Sequence, residues 1–213
     1  NFIKITQFKK AASEFNIEIK IVHTGQHYDE NMSKVFFEKL NLTPDFFLNV
    51  SNGTTIHQFA EIMKGLEELI INEYFPDLVL VVGDVNSTLA GALVANKLNI
   101  KLGHIESGLR SFDRTMPEEN NRILTDAITD YYFITEPSGI KNLKHEGVDE
   151  KKMFFCGNTM IDTLITFKQK VEECDVLQKL NIETKSYALV TMHRPAIVDN
   201  ETELKKLINL LDN

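Results

Sequence analysis

Apolar positions recur along this chain in two rhythms, a helical one and a short continuous one, and the two alternate from end to end. Residues 3–15 are apolar at helical spacing. They precede Ile17-Glu18-Ile19-Lys20-Ile21-Val22, an alternation that becomes continuously apolar and predicts a strand. Helices are predicted over 28–40 and, long and amphipathic, over 55–74. Leu78-Val79-Leu80-Val81-Val82 follows, a largely β-branched run between Pro76 and Gly83 that predicts a buried parallel strand. The alternation continues with helix over 89–98, strand 100–105, helix 118–129, strand 131–135, a short helix 138–145 and strand 153–156. Repeated βα units of this kind imply a parallel sheet with helices on both faces, an α/β fold.

Gly157-Asn158 reads as a boundary. A helix is predicted from there to 171, then a charged irregular stretch, a strand over 187–192 and a last helix over 199–211. The expected organisation is a domain over 1–157 and, over 158–213, the opening of a second α/β domain that the chain does not complete. The chain starts at Asn1 without Met and stops within a helical pattern, so it reads as a piece of a longer protein.

Composition narrows the partners more than the fold. The 213 residues are 43% hydrophobic and 25% charged, ordinary values for a globular protein. The net charge of -8 argues against a nucleic-acid partner held by a broad basic field. A small anionic ligand remains compatible, because a few basic side chains or a helix N-terminus hold phosphate locally. Two cysteines, Cys156 and Cys174, in no metal-ligand spacing, suggest a reducing cytoplasm. No apolar run is long enough to span a bilayer, so no membrane partner is expected. The histidines lack paired helical spacing, so no metal is expected, and neither a P-loop nor a Gly-x-Gly-x-x-Gly fingerprint supports a nucleotide cofactor.

Polar residues collect where the predicted strands end, which is where open parallel sheets bind ligands. His23-Thr24-Gly25-Gln26-His27 follows one strand, Gly83-Asp84-Val85-Asn86-Ser87-Thr88 another, Glu106-Ser107-Gly108-Leu109-Arg110 a third and His193-Arg194-Pro195 a fourth. Each has a plainer reading. Asp84 and Ser87 are suitable helix caps. Glu106 at a buried strand end needs a partner, with Arg110 or Lys4 at hand. Glu118 and Glu119 suit the first turn of a helix, and Arg122 lies one turn beyond Glu118 for a surface pair.

Taken together these segments resemble the non-hydrolysing UDP-N-acetylglucosamine 2-epimerases over nearly the whole chain. The carrying stretches are Asn1-Phe2-Ile3-Lys4, Thr24-Gly25-Gln26-His27, Gly83 to Thr88 and His104-Ile105-Glu106-Ser107-Gly108-Leu109-Arg110. Pro117-Glu118-Glu119-Asn120-Asn121-Arg122, Gly157-Asn158-Thr159-Met160-Ile161-Asp162 and Thr191-Met192-His193-Arg194-Pro195 complete them. The resemblance implies a GT-B-like fold of two Rossmann-type domains, a UDP-sugar substrate, no cofactor, a cytoplasmic enzyme and a homodimer. It implies Asp84, Glu106, Glu118 and His193 as catalytic residues, with Lys4, Gln26, His27, Arg122 and Arg194 binding substrate. The implied reaction eliminates UDP from UDP-GlcNAc and re-adds it to the other face, giving UDP-ManNAc. A hydrolysing epimerase, or an epimerase of a diacetamido sugar nucleotide, is the alternative. A GT-B glycosyltransferase and a non-catalytic sensor rank below both.

Overall fold

The computed structural model describes residues 1–25, 36–50, 53–192 and 195–211. The chain divides into two compact units, Asn1–Phe167 and Lys168–Asn213.

In the first unit, α1 (Phe2–Ile5) and α2 (Phe8–Glu14) replace the single helix expected over 3–15. The strand expected from Ile17 is reduced to β1 (Val22–His23), which pairs in parallel with β2 (Phe46–Phe47), a two-residue strand too short to leave a periodic signal. Next come α3 (Thr55–Asn72), β3 (Leu78–Val82), α4 (Asn86–Lys97), β4 (Lys101–Ile105), α5 (Pro117–Ala127), β5 (Tyr131–Ile134), α6 (Pro137–His145), β6 (Met153–Phe155) and α7 (Thr159–Thr166). β3, β4, β5 and β6 lie side by side in that order, all parallel, with Val82 opposite Ile105 and Ile105 opposite Phe133. This is the α/β pattern that the alternation along the sequence predicts.

The core explains the order. α3 buries Ile62, Leu66, Leu69 and Ile70, positions spaced to fall on one face of a helix. Its start is fixed by the Thr54 hydroxyl, which accepts from the His57 amide. α4 buries Ala90, Gly91, Ala92, Val94 and Ala95, small residues that let it pack closely against α3, α5 and the β3–β4 strands. Ile62, Val81, Ala90, Val94 and Leu102 form the centre of one apolar cluster. Burial of each large aliphatic side chain there contributes about 1.5–3 kcal/mol.

α5 breaks this rule. Pro117 opens it at the first helical position. Yet the residues it buries are Glu119, Asn121, Thr125 and Asp126, all polar. Buried polar groups persist only when hydrogen-bonded, so this face must meet a built polar site.

Among the described residues β3 pairs only with β4, and Leu78 and Leu80 are each 37% exposed. An apolar cavity of about 350 Å³ lies between β3 and the segment leading into β1, lined by Ile19, Ile21, Val22, Phe46, Leu80 and Val82 among others.

The second unit holds α8 (Lys168–Glu172), α9 (Val176–Lys179), α10 (Pro195–Val198) and α11 (Glu201–Leu211). The strand expected over 187–192 does not form. Tyr187, Leu189, Val190 and Met192 are exposed there, Leu189 at 85%. A strand needs a neighbour to take its backbone hydrogen bonds, and the described residues of this unit offer none.

Candidate active site

β3 and β4 end side by side, and both continue into turns that require unusual backbone. After Val82 the chain turns at Gly83, with φ of 72°, and presents Asp84. The Gly83 amide donates to the Ile105 carbonyl at 3.0 Å, carrying the strand pairing one step past β3. After Ile105 the chain turns at Glu106 itself, whose φ of 71° lies in the left-handed region that few non-glycine residues occupy. Its amide donates to the Phe133 carbonyl at 3.0 Å. Strained backbone of this kind is held only where its surroundings over-determine it.

Each carboxylate is met by a cation. Lys4 Nζ, from α1, lies 2.5 Å from Glu106 Oε2. Of the two partners the sequence offered for Glu106, Lys4 is the one found. Arg122, from α5, donates through Nη2 to Asp84 Oδ2. Its Nη1 lies 3.0 Å from Glu119 Oε2. The surface pair of Arg122 with Glu118 is therefore not made. Nor does Asp84 or Ser87 cap α4: its N-cap is Val85, with no side-chain capping bond. The tips converge closely: a Cβ placed on Gly83 would lie 3.3 Å from Lys4 Nζ and 3.4 Å from Glu106 Oε2.

α5 supplies the facing wall. Asn121 Nδ2 donates to the Asp84 carbonyl at 2.9 Å. Glu119, 1% exposed, accepts from the Ser111 and Phe112 amides at 2.9 and 3.1 Å, fastening the loop ahead of α5. Burial alone would raise the Glu119 carboxyl. The Ser111 and Phe112 amides, the Ser111 side chain and Arg122 outweigh it and hold the group below its ordinary range. Glu118 is exposed, in the first turn, on the same helix face as Asn121 and Arg122.

Behind the two tips lies a second polar layer, fully buried. His104 is 0% and Asp126 2% exposed. Asp126 meets His104 Nδ1 at 2.7 Å, the Gly108 amide at 3.0 Å and Arg110 Nη1 at 2.7 Å. Burial pushes the Asp126 carboxyl up, but His104, Arg110 and the Gly108 amide together leave it lowered. Arg110, offered by the sequence as a partner for Glu106, is committed to Asp126 and Glu146.

So Asp84, Glu106, Lys4 and Arg122 are brought together, and Glu118 stands on the helix that faces them. Gln26, His27, His193 and Arg194 lie outside the described residues. Glu119, Asn121, His104 and Asp126 were given no role at the site by the sequence, which offered Glu119 only as a first-turn residue of the helix. The spacing of Glu119 and Asp126, seven residues apart and so on one helical face, is the signal that points to them.

Parallel strands whose ends carry ion-paired carboxylates, walled by a helix with a polar buried face, define a Rossmann-type α/β protein with a charged cluster at its strand tips. Residues 9–213 match the family described as UDP-N-acetylglucosamine 2-epimerase. The chain belongs to that family. It is 45% identical over 211 residues to a UDP-N-acetylglucosamine 2-epimerase homolog of Methanococcus maripaludis, covering 98% of this chain and 58% of that protein. It is 40% identical over 215 residues to the UDP-2,3-diacetamido-2,3-dideoxy-D-glucuronate 2-epimerase of Pseudomonas aeruginosa, covering 99% and 59%. Among solved structures it matches Methanocaldococcus jannaschii UDP-GlcNAc 2-epimerase in complex with UDP-GlcNAc and UDP. The TM-score is 0.88 and the identity 43%, over 98% of this chain and 58% of that one. The fold is thus that of the GT-B-like α/β class expected. The chain spans somewhat over half the length of these relatives.

Proposed function

We propose that the protein this chain belongs to is an enzyme that inverts carbon 2 of UDP-GlcNAc to give UDP-ManNAc. The observation that carries the reading is the convergence of Asp84 and Glu106 on neighbouring strand tips, each held by its own cation. The carbon-2 proton is too weakly acidic for simple abstraction, so the route is elimination. A base takes that proton while the bond from carbon 1 to the diphosphate oxygen breaks, leaving 2-acetamidoglucal and UDP. UDP then adds back to carbon 1 as a proton reaches carbon 2 from the opposite face. This requires two proton carriers at the ring and positive charge for the departing diphosphate.

Asp84, Glu106 and Glu118 are the proposed proton carriers. Ion pairing fixes Asp84 and Glu106 in place, whereas Glu118, with no partner among the described residues, is free to meet the ring. Lys4 and Arg122 supply charge on the substrate side. His193, Gln26, His27 and Arg194 join this proposal from the family resemblance, which also supports a cytoplasmic homodimer and a second domain opening at residue 158. Among the described residues no helix is long and apolar enough to cross a membrane.

A diacetamido-uronate nucleotide is the second reading, supported by the Pseudomonas aeruginosa relative at 40% identity. Full-length protein incubated with UDP-GlcNAc in deuterated water decides. Deuterium at carbon 2 of intact UDP-sugar is expected. Free ManNAc would point to the hydrolysing reaction, and no exchange with UDP-GlcNAc but exchange with the diacetamido sugar would favour the second reading.

A further inference from the structure

The buried layer beneath the carboxylates has no place in the reaction as described, and its hydrogen bonds impose a condition on one ring. His104 Nε2 lies 2.8 Å from the Gly83 carbonyl oxygen, which can only accept. His104 Nδ1 lies 2.7 Å from Asp126 Oδ1, on a carboxylate that also accepts from the Gly108 amide and from Arg110. With acceptors on both sides, the ring makes both bonds only as a donor at each nitrogen.

Arg110, its side chain buried, meets Asp126 on the other side and reaches out to the exposed Glu146. Breaking the bond between His104 and Asp126 would leave a buried carboxylate short of a partner, which is costly. Tyr132 adds a hydroxyl that donates to the Asp126 carbonyl at 2.8 Å.

The cluster reaches both strand tips. Through His104 it holds the Gly83 carbonyl, one residue before Asp84. Through Asp126 it holds the Gly108 amide, two residues after Glu106. Asn142 Nδ2 donates to the Gly108 carbonyl at 2.8 Å, so that turn is clamped on both sides of its α-carbon. Glu106, in its left-handed conformation, is thus tied at both flanks to one carboxylate, since His104 sits two residues before it.

We propose that His104 and Asp126 are positioning residues: a buried ring carrying both its protons, paired with Asp126, fixes the spacing of the turns that present Asp84 and Glu106. The catalytic consequence rests on the epimerase reading, and the geometry does not.

Two measurements on the full-length protein test it. In nitrogen-correlated proton spectra of the wild type near neutral pH, the His104 ring should show two N–H signals, one per nitrogen. A single N–H overturns the proposal without any substitution being made. The second test is a pair of variants. His104→Gln keeps an amide donor near the Nε2 position, whereas His104→Asn places its amide near Nδ1 and leaves the Gly83 carbonyl without a donor. Small misplacement of catalytic groups costs up to about 100-fold. His104→Asn should lower kcat by about 10- to 100-fold with KM within about threefold, and His104→Gln should recover kcat to within about fivefold of wild type. Equal losses in both variants, or wild-type kcat in both, overturns it. A wild-type protein that exchanges no UDP-sugar proton sinks the epimerase reading alone, because the ring N–H count decides the geometry independently.

Discussion

Single residues carry their effects here through what is buried beside them. Asp126 and Glu119 are both held below the ordinary carboxylate range in the folded chain, so each contributes stability at pH above about 4, where the unfolded carboxyl is ionised. That contribution is lost as pH falls through the lower folded values, because the folded state must then take up protons it binds poorly. The urea midpoint should therefore drop between pH 5 and pH 3, and Asp126→Asn should flatten the drop. Asp126→Asn should also cost about 3–5 kcal/mol at pH 7, as expected when one member of a buried ion pair is removed. Among the carboxylates at the cleft, Asp84→Asn and Glu106→Gln should lower turnover by about 100-fold or more while leaving the fold intact. Near-normal turnover in either would remove that residue from the proposed chemistry. Asp84 and Glu106 were legible in the sequence because they stand at the ends of predicted strands, Glu106 directly after Ile105 and Asp84 just past Val82 and Gly83. His104 and Asp126 were not, because His104 sits inside a strand pattern and Asp126 inside a helix, where a polar residue is usually assigned to an exposed face.

At the scale of elements, α5 is the organiser, and its polar buried face fixes the turns on either side of it. Gly108 shows how little room is left. Its φ is 79°, and a Cβ there would lie 2.5 Å from the Gly139 carbonyl oxygen, a backbone atom that cannot step aside. Gly147 has a φ of 82° but nothing within 4 Å of its own added Cβ. Gly147→Ala should therefore cost only backbone strain, about 1–2 kcal/mol, whereas Gly108→Ala should cost about 2–4 kcal/mol or more by forcing β4 and α6 apart. Thermal denaturation of the two variants separates the cases, and equal costs would mean that the close approach to Gly139 is relieved by a shift. The strands β3 to β6 and the helices between them were readable because short apolar-rich stretches alternate there with stretches of helical spacing. β2 was not, since two residues have no period, and the break between α1 and α2 at Thr6-Gln7 leaves no proline or glycine to mark it.

At the scale of the whole molecule, the two units differ in kind. The first has a parallel sheet and an apolar cluster, whereas Tyr187–Met192 in the second carries a strand's composition without a strand's bonds. Composition alone could not reveal this, because pairing depends on chain elsewhere. In the 213-residue chain the amides of 187–192 should exchange with solvent quickly. In a protein of the relatives' full length they should be protected, and fast exchange there would show that the segment is a loop after all. β3 has a related consequence for handling. Among the described residues, one border of that strand offers backbone donors and acceptors beside an apolar hollow, with Leu78 and Leu80 partly in water. Open sheet borders of this type recruit strands from other molecules, and nature blunts them with charge. Concentrated solutions of this chain should turn sticky and scatter light, and Leu80→Lys should keep them clear.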